Sequence, residues 1–417
     1  MTQRLSRAVR EFVEVEFAGA AVLLVATAVA LVWANSPWDA SYRRLWSTEL
    51  AVSLGSHRLA LDLHEWVNDG LMALFFLVVG LEIKRELVAG ELREPRKAAL
   101  PAIAALGGMV VPAAIYTALN AGGAGGRGWG IPMATDIAFA VGVLTLLGPR
   151  VPPSLKVFLL TLAIVDDIGA IVVVAVFYSG GIHWDALGVA VGLVGAVVAL
   201  RAAGLRATPV YIGIGIAMWL ALHEAGVHAT LAGVVMGLLA PAATPLDRPD
   251  PVELADVSTP LAARLTARLA RESVSVAEWL EHVLHPWTSF LVVPVFALAN
   301  AGVSLDAAGI RDALGSPVTA GVVAGLVVGK PLGITLFAWA AHRLGLGEPP
   351  TGATWRGLSG VATLAGIGFT VSLFVTSLAF ENPALRDQAR LGILAASLIA
   401  AVVGTAVLRR GAQLRGT

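Results

Sequence analysis

The chain has 417 residues, 57% of them hydrophobic and 14% charged, and its 29 lysines and arginines balance 29 aspartates and glutamates. A soluble domain carries about a quarter charged residues, so the composition leaves soluble folds a remote alternative and points to an all-α integral membrane protein. The zero net charge gives no electrostatic case for a nucleic-acid partner, and the absence of cysteine excludes disulfides and thiolate-ligated metals.

A spanning helix needs about 20 mostly apolar residues. About twelve segments qualify, centred near Val25, Phe75, Leu106, Ala138, Asp166, Gly192, Ile214, Val234, Val293, Val327, Thr370 and Ala400. The N-terminal MTQRLSRAVREFVEVEF lacks a cleavage signature, so the first apolar stretch is expected to stay as a helix. The seventh and eighth segments are short, and one broken hairpin is the alternative. Most basic residues, among them Arg4, Arg7, Lys84, Arg93, Lys156, Arg264 and Arg409, fall on one side, whereas Arg43, Arg127 and Arg390 fall on the other. The positive-inside rule then puts both termini in the cytoplasm. Residues 49–63 alternate apolar and polar around Gly55-Ser56, the pattern of an extracytoplasmic β-hairpin. A lone hairpin is marginal in water, so it is expected to pair with another chain or lie on the bilayer; an ordered loop is the alternative. The cytoplasmic loop 241–281 opens proline-rich. It then repeats Leu261, Leu265 and Leu269 with Arg264, Arg268 and Arg271 interleaved, a basic amphipathic helix suited to anionic lipid.

The polar residues inside these segments carry the chemistry. Asp166 and Asp167 sit side by side in FLLTLAIVDDIGAIVVVAVFY. About ten residues past Lys156 the pair is roughly 15 Å deep, where one carboxylate alone costs about 3 kcal/mol on insertion scales. Successive helical residues point about 100° apart, so the two aspartates have different neighbours. Asp136 follows Thr135 in a segment that Gly128, Gly130 and Pro132 crowd. A break there exposes free backbone groups, and carboxylates, hydroxyls and carbonyls are the ligands hard cations prefer. A kink whose aspartate satisfies the freed N–H groups is the alternative, and both can hold. A late segment is interrupted by Gly357, Gly360, Gly366 and Gly368 before Phe369 and Thr370. The interrupted spans are the middle members of spans 3–5 (about 97–180) and 10–12 (about 317–410), the pattern of inverted repeats. Lys330 lies too far from the inner edge to snorkel there, so a buried carboxylate is its expected partner.

The motifs FFLVVGLEIKREL, ATDIAFAVGVL, LAIVDDIGAI, GVHATLAG, LEHVLHPW, FALANAGVSL, VGKPLGI and GIGFTVSLF resemble those of the bacterial NhaA-type sodium/proton antiporters, in family order and over nearly the whole chain. The resemblance implies a single polytopic domain, 1–417, in the bacterial inner membrane. Its core would be spans 3–5 and 10–12, with spans 4 and 11 broken and crossed, and its interface part the remaining spans with the hairpin, supporting homodimers. It makes Asp167 the main Na+/H+ ligand, Asp166 the partner of Lys330, and Asp136 the balance of opposed helix ends beside Thr135. Glu82, Arg85, Glu86, His228, Glu281 and His282 match positions tied to pH sensing or to the cytoplasmic funnel; a packed histidine and a helix-end carboxylate are the plainer readings of His228 and Glu281. The loop 241–281 is longer than the family leads one to expect.

The implied function is exchange of cytoplasmic Na+ or Li+ for external H+, electrogenic and pH-regulated, with no enzymatic step and no cofactor. Anionic lipid, including cardiolipin, is an expected partner. Two other readings stand beside it. An intramembrane aspartyl protease also needs two buried aspartates, but on facing helices, and its Tyr-Asp and Gly-x-Gly-Asp signatures are absent from the chain. A passive cation channel would conduct without proton coupling.

Overall fold

The computed structural model describes residues 2–54, 57–148, 151–205, 207–242 and 275–413. The turn at Gly55-Ser56 and the basic helix expected between Leu261 and Arg271 lie outside them. Among the described residues seven helices are long and apolar enough to cross a membrane: Pro95–Asn120, Gly126–Leu146, Pro153–Phe177, Trp184–Ala202, Val276–Asn300, Pro317–Arg343 and Pro383–Arg410. Two bent pairs raise the number to nine, Ala18–Ala34 with Asp39–Trp46 at 115° and Trp355–Leu364 with Phe369–Ala379 at 49°. This is fewer than the twelve expected, although a helix covers each expected centre. The shortfall has physical causes. Met72–Ala89 ends in the charged run Glu82, Lys84, Arg85, Glu86. Thr208–Glu224 has 17 residues and Leu231–Leu239 only 9, and nine helical residues rise about 14 Å, half of the hydrocarbon core.

The chain forms two compact units, one of residues 1–72, 96–180 and 289–417, the other of 73–95 and 181–288. The first therefore holds both expected repeat segments together with the first helix and residues 49–63. Within it Thr2–Ala34 packs on Val293–Asn300 and on Ile137–Leu146, while Trp355–Leu364 and Pro317–Ala324 pack on Pro383–Gln413. Small residues let backbones touch: a Cβ on Gly107 would lie 2.3 Å from the Gly333 carbonyl oxygen, and one on Gly333 2.1 Å from that of Gly107. Without a hydrophobic drive between helices in lipid, such close packing is what holds them. Strands β1 (Glu49–Leu54) and β2 (His57–Asp62) pair antiparallel from Glu49↔Asp62 to Leu54↔His57. The Trp66 indole N–H donates to the Leu50 carbonyl at 2.9 Å. Asp62 then caps Leu63–Glu65 with a capping box.

In the second unit Ala190, Met218, Ala221, Leu222 and Ala232 form one apolar cluster and Leu81, Ala240 and Ala277 another. Met72–Ala89 meets Leu231–Leu239 so closely that a Cβ on Gly233 would sit 2.0 Å from the Ala73 oxygen.

Polarity is inverted relative to a soluble protein. Val25, Val32, Val176, Val191, Leu398 and Val402 are exposed, whereas Thr135, Asp136, Asp166, Asp167 and Lys330 are buried. Apolar side chains outside and charges inside are what lipid requires.

Candidate ion site

Pro153 at the first turn starts a 25-residue helix whose apolar run carries Asp166 and Asp167 inward. Lys330 arrives from another direction. A π-helical turn, Gly325–Gly329, precedes it, and its own N–H closes that turn on the Gly325 carbonyl; such turns are frequent at functional positions. The Lys330 ammonium, fully buried, donates to Asp166 Oδ2, and to Thr135 Oγ1 at 2.8 Å. The Thr135 hydroxyl lies 2.7 Å from Asp166 Oδ2 and 2.9 Å from the Ala365 carbonyl oxygen. It has one hydrogen to give, so it donates to one of these at a time while accepting from Lys330. Asp166 Oδ1 is buried and has no hydrogen-bond partner among the described residues. A buried carboxylate oxygen in that condition, beside a second buried carboxylate, can take a proton or a hard cation.

Asp136 has a different neighbourhood. Its Oδ1 accepts the Phe139 N–H at 3.2 Å, capping Ile137–Leu146. Its Oδ2 accepts the Thr370 N–H at 3.1 Å and the Thr370 hydroxyl at 2.7 Å, at the start of Phe369–Ala379. The Asp136 N–H in turn donates to the Ile367 carbonyl at 2.6 Å. One carboxylate thus faces the N-terminal ends of two helices, each carrying about half a positive charge. The backbone at Ala134 and Asp136 is extended, so neighbouring side chains alternate sides: Thr135 goes to Lys330 and Asp166, Asp136 to the helix ends.

The second unit gathers part of the other expected set. The Arg85 guanidinium reaches Glu281 at 2.6 Å and Glu86 at 3.6 Å. Glu82 and Glu278 are within electrostatic range of Arg85, and Glu281 Oε2 is buried with no hydrogen-bond partner among the described residues. His282 is exposed, and His228 is half-buried in the turn before Leu231–Leu239. Sequence reasoning missed Glu278, although Ser275-x-x-Glu278 is a capping box in the structure and in pattern. It also missed the Ala365 carbonyl, for which a sequence carries no signal.

The family model for Na+/H+ antiporter 1 matches residues 10–408. The chain belongs to that family. Among its relatives, Na(+)/H(+) antiporter NhaA 3 of Frankia alni is 51% identical over 414 residues, spanning 97% of this chain and 89% of the relative. Na(+)/H(+) antiporter NhaA of Rhodopirellula baltica is 46% identical over 419 residues, 97% of this chain and 94% of the relative. The solved structure of the sodium proton antiporter MjNhaP1 from Methanocaldococcus jannaschii at pH 8 superposes with a TM-score of 0.54 at 12% identity, covering 96% of this chain and 97% of that one. The last likeness concerns the fold alone. The Na+/H+ antiporter family is a family of transporters, and the chain is not an enzyme.

Proposed function

We propose that this antiporter exchanges cytoplasmic Na+, and Li+, for external H+ at Asp166 and Asp167, with Thr135 contributing its hydroxyl and Lys330 the balancing charge. The carrying observation is the divided state of Asp166: one oxygen engaged by Lys330 and Thr135, the other buried and unpartnered. A cation that draws on this carboxylate competes with Lys330 for it, and a proton does the same. Bare carboxylates do not cross the hydrocarbon core cheaply, so only states neutralised by Na+ or by protons move. More than one proton per sodium makes the exchange electrogenic. The cycle needs no cofactor.

We assign the pH response to the Arg85–Glu281 group with Glu82 and Glu86, and place His228 and His282 near the same cytoplasmic mouth. The twelve-span arrangement in the inner membrane, with both termini cytoplasmic, draws on the helices at all twelve expected centres and on the basic-residue bias. Spans 3–5 and 10–12 as inverted repeats, and spans 4 and 11 as crossed broken helices, draw support from the two half-helix N-termini that meet on Asp136. Strands β1 and β2 offer unpaired outer edges for a homodimer, and anionic lipid, cardiolipin included, suits the basic inner face.

A protease needs two carboxylates sharing one water. Asp166 is engaged by an ammonium and Asp136 by two helix ends, so nothing described favours that reading. The test is isotope uptake into proteoliposomes. An imposed pH gradient should drive sodium flux; sodium flux that ignores the gradient identifies a channel, and no sodium flux ends the proposal.

A further inference from the structure

The stretch Gly126–Met133, which leads into Thr135 and Asp136, is a 3-10 helix of 8 residues. Runs longer than three or four residues are uncommon because their hydrogen bonds are poorly aligned. Something outside the stretch has to hold it, and three other helices do. The Tyr178 hydroxyl accepts the Gly130 N–H at 3.1 Å and donates to the Arg127 carbonyl at 2.7 Å. The Tyr116 hydroxyl donates to the Gly125 carbonyl at 2.9 Å, and the Ser372 hydroxyl donates to the Ile131 carbonyl at 2.7 Å. The tyrosines also fill the room that side chains would take: a Cβ on Gly130 would lie 2.7 Å from the Tyr178 oxygen, and one on Gly128 2.4 Å from the Tyr116 oxygen. The Tyr178 ring stacks on Trp129 of the same stretch at 6.3 Å.

Tyr178 differs from the other two in where it is mounted. It is the C-cap of Pro153–Phe177, the helix that carries Asp166 and Asp167. About eleven residues separate it from Asp167, close to three whole turns, so the phenol leaves the helix on the face of that aspartate. One rigid helix therefore holds the carboxylates at one level. Three turns further on it grips the backbone of the segment that brings Thr135 to them.

We propose that Tyr178 is a positioning residue for the exchange reaction: its hydroxyl, bridging Gly130 and Arg127, fixes the 3-10 segment on the aspartate-bearing helix and so sets where the Thr135 hydroxyl stands relative to Asp166 and Lys330. The proposal rests on the reading of Asp166, Asp167 and Thr135 as the ion site. Tyr178→Phe keeps the ring and its stacking but removes the hydroxyl that bonds the buried Gly130 N–H and the Arg127 carbonyl. The segment shifts, and sodium loses a well-placed oxygen.

The experiment measures sodium-dependent exchange in proteoliposomes for wild type, Tyr178→Phe, Ser179→Ala and Asp167→Asn, with reconstituted protein quantified. The Ser179 hydroxyl donates to the Ala175 carbonyl of the helix that ends just before it, so Ser179→Ala removes a neighbouring hydroxyl without touching the 3-10 segment. Tyr178→Phe is expected to raise the KM for Na+ about three- to tenfold, the value of one or two net hydrogen bonds, with the maximal rate per molecule nearly unchanged and Ser179→Ala like wild type. A Tyr178→Phe protein with wild-type KM overturns the proposal, whether its maximal rate is normal or reduced, since a purely structural hydroxyl changes yield or rate and leaves KM alone. If Tyr178→Phe does not reach the membrane, Gly130→Ala strains the same tie from the other side and must raise KM; an unchanged KM there overturns the proposal equally. Asp167→Asn separates the two claims. Exchange surviving that substitution removes the site reading, whereas an inactive Asp167→Asn beside a wild-type KM for Tyr178→Phe removes only the positioning role.

Discussion

Asp166 and Asp167 differ in what surrounds them, and that difference carries consequences for substitution. Asp166 is locked to Lys330 and Thr135, while the buried Asp167 is the expected sodium ligand. Asp167→Asn is therefore expected to abolish both exchange and sodium binding, read by isotope flux and by calorimetric titration of the purified protein; wild-type flux would refute the site assignment. Lys330→Ala leaves a buried carboxylate without its ammonium, a loss of about 3–5 kcal/mol for a broken buried pair. Thermal unfolding of that variant at neutral pH should show a marked drop in midpoint, with sodium binding less affected than stability. The charged residues themselves were readable from sequence because a carboxylate in an apolar run is conspicuous. Which of Thr135 and Asp136 turns toward Asp166 was not, because it depends on the extended backbone at Ala134 and Asp136 and on a carbonyl from Ala365.

Helix N-termini away from water leave N–H groups that a side chain has to meet. Asp136 meets this need for Ile137–Leu146 and Phe369–Ala379 together, accepting three hydrogen bonds from Phe139 and Thr370. Asp136→Ala orphans all three donors and is expected to cost about 2–4 kcal/mol, measured as a lowered unfolding midpoint that Asp136→Asn partly restores. A second element-level prediction concerns Leu63–Glu65, which joins β2 to the helical run ending at Ala89. There His64 accepts from Asn68 at 3.0 Å through Nδ1 and donates to Asn300 at 3.1 Å through Nε2, while Asn300 donates to Asn68 at 2.9 Å. This closed ring accommodates neutral imidazole only: a second ring N–H would face an amide donor. Burial, then the nearby Arg390 charge, push His64 down to about 4. The unfolded chain takes up this proton near pH 6.5 and the folded one does not until about pH 4, so stability falls as pH drops across that window, by about 3 kcal/mol in all. The slope of unfolding midpoint against pH between 7 and 5 should be shallower in His64→Gln; an identical slope would show that this ring does not report acid. Gly366 and Gly368 marked in sequence the place of the 49° bend between Trp355–Leu364 and Phe369–Ala379. The segment around Val234 read as short in sequence, but its limits at Leu231 and Leu239 did not, because they follow from how it packs on Met72–Ala89.

The whole molecule is an inside-out protein, with valines and leucines toward lipid and ionisable groups toward one another. The two strands end in outer edges that nothing among the described residues pairs, and Leu50 and Val52 are exposed on them. Removing residues 49–62 is expected to shift detergent-solubilised protein from dimer to monomer by light scattering, with helix content kept; a variant that remains dimeric assigns the contact elsewhere. Composition, hydropathy period and a few conspicuous charges were enough for membrane class, helix positions and family, because each is a property of a local stretch of chain meeting a uniform apolar solvent. The partner of each buried charge, the 3-10 segment gripped by Tyr178, and the sharing of Asp136 between two helix ends arise from residues far apart in sequence. Their energies depend on distances of about 3 Å, which come into being when the helices pack.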